Sequence, residues 1–598
     1  MASYSAPLRD MQFVINELAD LAGVARLPGY GEVTPELVET VLDAAGRFAA
    51  EMLAPLNAAG DRQGSKLGPD GAVTTPTGFK QAYARFTADG WNALALPAEH
   101  GGQGLPQLLS APVVEMWQSA NMAFALCPML TQGAVEALVL YGSAALKKTY
   151  LPKMVAGEWT GTMNLTEPQA GSDLGQVRCR ALREGDHYRL SGQKIFITYG
   201  EHDWTGNIMH LVLARVPDAP AGVKGISMFL VPKFLVNGDG TPGRRNDVYC
   251  TALEHKLGIH ASPTAVLNYG DRDGAIGYLV GEENRGLEYM FVMMNLARFM
   301  VGVQGIGIAE RAWQQALTFA RERVQSADAA VRGGQPVTII HHPDVRRMLM
   351  SMKARIEAMR ALAYVVAAHL DKAAHHPDEQ ARAQAQAFVD LMIPVIKGCC
   401  TENAIDITST GIQIHGGMGF IEETGAAQHF RDARISTIYE GTTGIQGKDL
   451  IGRKLARDRG MAARAVIAWM RALDAEFEQL QNADLQAIRT RLATGIDALE
   501  TAVHWAVAHY ASDVQAVSAG AVPLLRLFGI VAGGWQMARA ALISQQRLNE
   551  GMGDAAFYKT KISTARYYAD YELTQAAGLR ESIVTGAAGV LAVNGDQF

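Results

Sequence analysis

Between about residue 160 and residue 282 this 598-residue chain changes its hydrophobic period, while helical spacing holds on both sides of that stretch. Inside it, Tyr188-Arg189-Leu190 and Lys194-Ile195-Phe196-Ile197-Thr198 flank Ser191-Gly192 and read as a hairpin. Residues 210–215 and 226–231 read as further short strands set between Pro and Gly. Outside it, Leu, Val, Met and Ala recur at helical spacing over 36–58, 110–155, 288–324, 344–371 and 380–410. The fold class this implies is α+β, mostly α, with an antiparallel β domain between helical ones. Beyond residue 460, stretches 462–481, 484–511, 522–548 and 567–579 read as amphipathic helices, enough for a small antiparallel bundle. The chain is too long for one core, and the expected divisions are 1–35, 36–159, 160–282, 283–458 and 459–598.

Charge and cysteine usage narrow the partners. A net charge of −6 gives no reason to expect nucleic acid or an anionic membrane. Cys127, Cys179, Cys250, Cys399 and Cys400 form no C-x-x-C pair and are odd in number, which fits small core residues in a reducing cytoplasm and no metal site. No basic stretch followed by an apolar one opens the chain, so no signal peptide is expected. The most apolar run, 290–309, is broken by Asn295, Arg298 and Gln304 and reads as a buried helix, not a membrane span. No G-x-G-x-x-G follows a strand, no Walker loop is present, and His341-His342 lack metal-ligand spacing.

The chemistry-bearing stretch is Ile438-Tyr439-Glu440-Gly441-Thr442-Thr443-Gly444-Ile445-Gln446. A carboxylate between a Tyr and a Gly-Thr-Thr-Gly turn suits proton abstraction, since the Tyr side partly dries it and drying makes it a stronger base. The glycines let a ligand approach the backbone closely. A solvated Glu in a turn before a helix is the other reading of these residues taken alone.

The stretch resembles the catalytic-base loop of the acyl-CoA dehydrogenases, which reads IYEGT followed by IQ. Gln413-Ile414-His415-Gly416-Gly417-Met418-Gly419-Phe420 is similar to the flavin-contacting loop of that family, and Leu165-Thr166-Glu167-Pro168-Gln169-Ala170-Gly171-Ser172-Asp173 to its TEPxAGSD segment. The motifs stand in the family's order, and the resemblance covers about residues 40 to 455. The opening Tyr4-Ser5-Ala6-Pro7-Leu8-Arg9-Asp10 and the long C-terminal extension resemble a long branch of the family.

The resemblance implies an FAD enzyme that converts an acyl-CoA thioester to a trans-2-enoyl-CoA. Glu440 would remove the α-proton and the β-hydrogen would leave as hydride to flavin N5. The developing enolate oxygen needs donors; in the family these are the N–H of the base, here Glu440, and a flavin ribityl hydroxyl. Some relatives carry the base on a helix just before an Arg; the matching place here is Ala297-Arg298, which leaves Glu440 as the candidate. Implied FAD contacts are Met163, Leu165, Thr166, Gly171, Ser172, Phe196, Thr198, Arg323, Gln413, Gly416, Gly417 and Thr442. Phe196 stands where the family has Trp; a plain strand-core residue is its other reading. Arg323 lacks the F-G that follows the family's arginine, and Gly444 replaces a glutamine. Implied substrate contacts are Ser172, Asn295, Arg298, Tyr439 and Gly441; a buried ion-pair partner is the other reading of Arg298.

An electron-transferring flavoprotein is the implied electron acceptor, with reoxidation by oxygen, as in an acyl-CoA oxidase, the enzymatic alternative. A DNA-binding flavoprotein of the same superfamily would need a basic C-terminal domain, but residues 461–598 carry 11 Lys/Arg against 13 Asp/Glu. The expected assembly is a homodimer whose extension covers an apolar face with Trp469, Leu473, Trp505, Leu524, Leu525, Leu527, Phe528 and Trp535. The expected substrate is 3-methylmercaptopropionyl-CoA or a straight-chain acyl-CoA; acyl length is not legible in these residues.

Overall fold

The computed structural model describes residues 4–331, 333–478 and 480–598. The chain divides into two compact units, one comprising residues 47–105 and 120–300, the other the N-terminal residues to 46 with 106–119 and 301–598.

The first unit is built on an eight-stranded sheet. Its strands are β1 (Trp159–Asn164), β2 (Arg180–Glu184), β3 (His187–Thr198), β4 (Asn207–Ala214), β5 (Ser227–Pro232), β6 (Val248–Leu253), β7 (Thr264–Tyr269) and β8 (Ala275–Leu279). They lie in the order β6-β7-β3-β8-β5-β4-β1, with β2 paired to β3. All pairs are antiparallel except β1 with β4, where Thr160 faces Ile208. Every residue of β1, β4 and β5 is buried, consistent with the near-continuous apolar run of β5.

The hairpin expected at Ser191-Gly192 is not there. β3 runs straight through, its residues 188–190 pairing with β8 and its residues 192–198 with β7. Gly192 has φ 138, and a Cβ on it would lie 3.0 Å from Cys179 Cα. The glycine serves a close backbone approach, a role whose sequence cue is the same as that of a turn.

The second unit is helical. Its elements include α1 (Leu8–Phe13), the first turns of α2 (Gln107–Tyr141), the second half of α3 (Gly286–Glu322), α4 (Pro343–His375), α5 (Glu379–His415), α6 (Thr443–Asp449), α7 (Ala483–His509), α8 (Ala521–Asn549) and α9 (Ala555–Tyr571). α2 breaks at Asn121 (φ −159, ψ 90), whose side chain accepts from Phe124 N–H at 3.1 Å and so caps the continuing helix. α4 and α5 pack along one another, and α8 lies against both. Small residues seat α8: a Cβ on Gly398 of α5 would meet Leu525, and one on Gly529 would meet Cys399.

The extension therefore buries Leu473, Leu524, Leu525, Leu527, Phe528 and Trp535, whereas Trp469 stays 39% exposed and Trp505 is half-buried, both off the buried stripe. The helix expected over 567–579 is two helices. α9 begins at Ala555, where Asp554 caps Ala556 N–H at 2.7 Å, and ends at Tyr571; after a turn at Leu573–Gln575 a second helix spans Ala576–Thr585.

The N-terminal segment is tied to the extension. Phe13 meets Phe557 edge-on at 5.6 Å, Arg547 pairs with Glu17 at 2.9 Å, and Lys561 of α9 pairs with Asp10 of α1. Asp10 also accepts from Arg360 of α4 at 2.6 Å. Arg360 reaches Glu115 at 2.5 Å and Glu310 at 2.8 Å as well, so one guanidinium joins α1, α2, α3 and α4. By length and composition α2, α3 and α8 could cross a membrane; 78%, 72% and 78% of their most apolar stretches are buried in the folded chain.

Candidate active site

Glu440 sits in a left-handed turn, with φ 54, followed by Gly441 at φ 89. A non-glycine residue in that region costs roughly 1–2 kcal/mol, so the surroundings must hold it there. A Cβ on Gly441 would lie 2.9 Å from Gln446 Nε2, which restricts the position to glycine. Beyond it Thr442 caps α6, its hydroxyl accepting from Ile445 N–H at 3.3 Å, and Thr443 donates to Glu402 at 2.5 Å. On the other side the Tyr439 hydroxyl donates to Gln304. Burial and the neighbouring Glu440 charge push that phenol above its ordinary range, so it remains a donor.

Side chains that the sequence reading did not assign hold this turn. Lys397 of α5 donates to the Gly441 carbonyl at 2.7 Å. Gln446 of α6 donates to the carbonyls of Glu440 at 3.2 Å and Gly441 at 3.1 Å. Both side chains are fully buried. Gln446 belongs to the quoted signature without a role there; the signal for Lys397 was a lone ammonium in the apolar run 391–400.

In the sheet unit, Met163 is buried near the end of β1, and Leu165 and Thr166 are half-buried in the loop that follows. That loop is fastened to β3. Thr166 carbonyl accepts from Ile195 N–H at 2.9 Å, and Leu165 carbonyl from Lys194 Nζ at 3.0 Å. Buried Lys194 also pairs with Glu167 at 2.8 Å, and Glu167 accepts from the N–H groups of Arg178 at 2.7 Å and Cys179 at 3.0 Å. Burial alone would raise the Glu167 pKa; the Lys194 ammonium and these N–H groups outweigh it and hold the carboxyl below its ordinary range.

Beside this anchor β3 carries a bulge: Lys194 faces Leu267 but Ile197 faces Ala265, an extra residue on β3. Phe196 lies in the bulge at φ 60 and is 58% exposed, which corrects its reading as a strand-core residue. Thr198 is half-buried at the strand end, Ser172 is exposed, and nothing lies within 4 Å of a Cβ built on Gly171. An aromatic face turned outward by a bulge, next to an anchored loop with half-buried backbone and an open glycine, fits a planar ring system of the flavin kind.

In that same unit, Asn295 on α3 is half-buried, and Arg298 is buried with its guanidinium 6.0 Å from the Phe291 ring. In the helical unit the ends of α3 and α5 meet where Phe319 stacks on His415 at 4.5 Å. This gathers Arg323, Gln413, Gly416 and Gly417, all exposed, with open space around both glycines. Met418 (51% exposed) and Phe420 (86%) flank them.

Lys194→Met is expected to leave Glu167 buried without its counter-charge and to free the 165–173 loop. A cost of about 3–5 kcal/mol is typical for such a broken pair. The checks are a lower Tm and a lower flavin content per chain after gel filtration.

An anchored loop beside an outward-facing ring in the sheet unit and a glycine-backed turn bearing a carboxylate in the helical unit are parts that a flavin-linked acyl-thioester oxidoreductase needs. Acyl-CoA dehydrogenase N-terminal, middle and C-terminal domain models match residues 35–158, 162–271 and 284–456, and an acetyl-CoA dehydrogenase C-terminal-like model matches 462–594. The chain is 50% identical over 574 residues, 96% of each sequence, to 3-methylmercaptopropionyl-CoA dehydrogenase of Ruegeria pomeroyi. It is 35% identical over 609 residues, 98% of each, to the broad-specificity linear acyl-CoA dehydrogenase FadE5 of Mycobacterium tuberculosis. Caenorhabditis elegans ACDH-11, solved in complex with C11-CoA, shares the fold with a TM-score of 0.75 at 19% identity, covering 97% of this chain and 95% of that one. The chain belongs to the acyl-CoA dehydrogenase family, whose members are FAD-dependent oxidoreductases.

Proposed function

We propose that the chain oxidises 3-methylmercaptopropionyl-CoA, or a short straight-chain acyl-CoA, to the trans-2-enoyl thioester, with Glu440 as the α-proton base. The observation that carries this reading is the strained, glycine-flanked turn that presents a carboxylate beside a Tyr hydroxyl already committed to Gln304. The Glu440 carboxylate takes the α-proton: the C–H bond breaks, an O–H bond forms, and the electron pair is delocalised into the thioester carbonyl. The N–H of Glu440 supplies one donor to that oxygen. Bound FAD supplies the two-electron acceptor needed when the β-hydrogen leaves as hydride. Leu165, Thr166, Phe196 and Thr198 would hold its ring end, and Arg323, Gln413, Gly416 and Gly417 would reach the phosphate and adenosine end of the FAD of a neighbouring copy. Ser172, Asn295 and Arg298 belong to the acyl-CoA side.

Identity over nearly the full length to the methylthio enzyme supports that substrate. The test is kcat/KM across acyl-CoAs from short to long, with the methylthio thioester included and an electron-transferring flavoprotein as acceptor. The methylthio or a short straight-chain substrate is expected to lead; a maximum at long chains, or turnover that needs only oxygen, overturns the reading.

The exposed group at the α3 and α5 ends supports a second copy of this chain as the completing partner there, because Phe420 and Met418 are large apolar side chains left in water. The extension buries its own apolar stripe against α4 and α5, which leaves a homodimer as the expected assembly. Light scattering on the full chain is expected to report two subunits. Truncation at Arg459 is expected to expose the seat of α8 and cause further association; a full-length tetramer is the contrary result.

A further inference from the structure

The carbonyls of Glu440 and Gly441 are both drawn into the protein by buried polar side chains, and this fixes the turn more tightly than its helix cap does. Lys397 Nζ reaches Gly441 O at 2.7 Å, and Gln446 Nε2 reaches Glu440 O and Gly441 O at 3.2 and 3.1 Å. Neither side chain is exposed. Two carbonyls facing one amide require its NH₂ end, and the Gln446 oxygen on the other side is left buried with no hydrogen-bond partner among the described residues. Leaving an amide oxygen unsatisfied is unfavourable, so the two bonds to the turn are what the orientation secures. Lys397 makes the same point. A methionine would fill the same space in the apolar run 391–400 without burying an ammonium, whereas a charged donor binds a carbonyl more strongly than a neutral one. A third anchor arrives from α3, where Gln304 accepts from the Tyr439 hydroxyl and donates to Gln118 at 2.9 Å.

With the carbonyls of Glu440 and Gly441 and the ring of Tyr439 held, the peptide planes on either side of Gly441 resist flipping. The left-handed backbone is kept, and with it the direction in which the carboxylate leaves the chain. We propose that Lys397 and Gln446 are positioning residues for the α-proton base, with Tyr439–Gln304–Gln118 as the third anchor; this rests on Glu440 being that base. They act on the main chain of the turn and so set where the carboxylate is. Thr442 already serves α6 as its cap, so the helix itself does not need either bond.

The test isolates proton transfer from the redox step. Full-length holoenzyme is incubated in D₂O with an acyl-CoA analogue whose β-carbon is replaced by oxygen or sulfur, so that no hydride can leave. The α C–H breaks, Glu440 holds the proton, and return of a solvent deuteron to the same carbon leaves the analogue labelled and nothing oxidised. Gln446→Leu, Lys397→Met and Tyr439→Phe are compared with wild type and with Glu440→Gln. A misplaced group commonly costs up to about a hundredfold. The expected result is an exchange rate per bound FAD lowered about tenfold to a hundredfold in Gln446→Leu and Lys397→Met, with analogue affinity nearly unchanged in those two, and a smaller loss in Tyr439→Phe. Should Lys397→Met fail to fold, the other two variants carry the test. Exchange at the wild-type rate in folded, FAD-loaded variants overturns the positioning role. So does a loss that tracks only Tm or FAD content, which marks a merely structural role. If Glu440→Gln still exchanges, the base assignment itself fails and the proposal falls with it.

Discussion

Glu440→Gln is expected to fold, bind FAD and bind acyl-CoA, yet to leave the oxidised flavin spectrum unbleached when mixed anaerobically with substrate. The isostere keeps the shape of the turn, because the bonds from Lys397 and Gln446 end on main-chain carbonyls that the substitution leaves in place. The N–H offered to the thioester oxygen also survives. What disappears is the group that accepts the proton, and loss of a general base costs about a hundredfold or more. Stopped-flow bleaching is the measurement, and a rate close to wild type would remove Glu440 from the chemistry.

The base loop was legible because its residues are neighbours in the chain: Tyr439, Glu440, Gly441 and Thr442 carry a family signature without any tertiary information. Its anchors were not. Lys397 and Gln304 reach the loop across 44 and 135 residues, and no spacing rule links them to it. Phe196 shows a different limit. In a strand that alternates, the side on which a ring falls depends on register, and the extra residue between Lys194 and Ile197 turned it outward. Gly192 failed for a third reason, since a glycine admits a turn and a close contact alike. The helices of the extension were placed well where their apolar stripe runs unbroken, as in α8. Around Tyr571 two helices with compatible periods abut, and only the Asp554 cap marks the true start of the first.

Arg360→Met is expected to cause the largest loss of stability of any single change considered. The guanidinium is 1% exposed and serves Glu115 three times, Glu310 once and Asp10 once. Methionine fills much of its volume but leaves three carboxylates converging without it. Removing one partner from a buried pair typically costs about 3–5 kcal/mol. Three acceptors put this case at the upper end, and in a chain of this size the observable is a fall in Tm. The N-terminal segment should loosen first, because Asp10 then loses its bond from α4 and relies on the Lys561 pair, and hydrogen exchange over residues 8–18 should rise before exchange elsewhere. The pH dependence checks the cause. Burial alone would raise the Asp10 pKa, but the Lys561 ammonium and the Arg360 guanidinium prevail and hold it below the ordinary carboxylate range. A depressed carboxyl contributes stability that is complete above its unfolded value, about 3.9, and is lost as pH falls through the folded value. The gap in Tm between wild type and Arg360→Met should therefore be widest near neutrality and narrow as the pH falls, first as Glu115, which burial holds above its ordinary range against the pull of Arg360, takes up a proton and last as Asp10 does. Adding Glu115→Leu to Arg360→Met should recover part of the loss, since it removes one of the stranded charges. A gap that stays constant with pH would mean that packing around Arg360, and not its charge, holds the N-terminal segment in place.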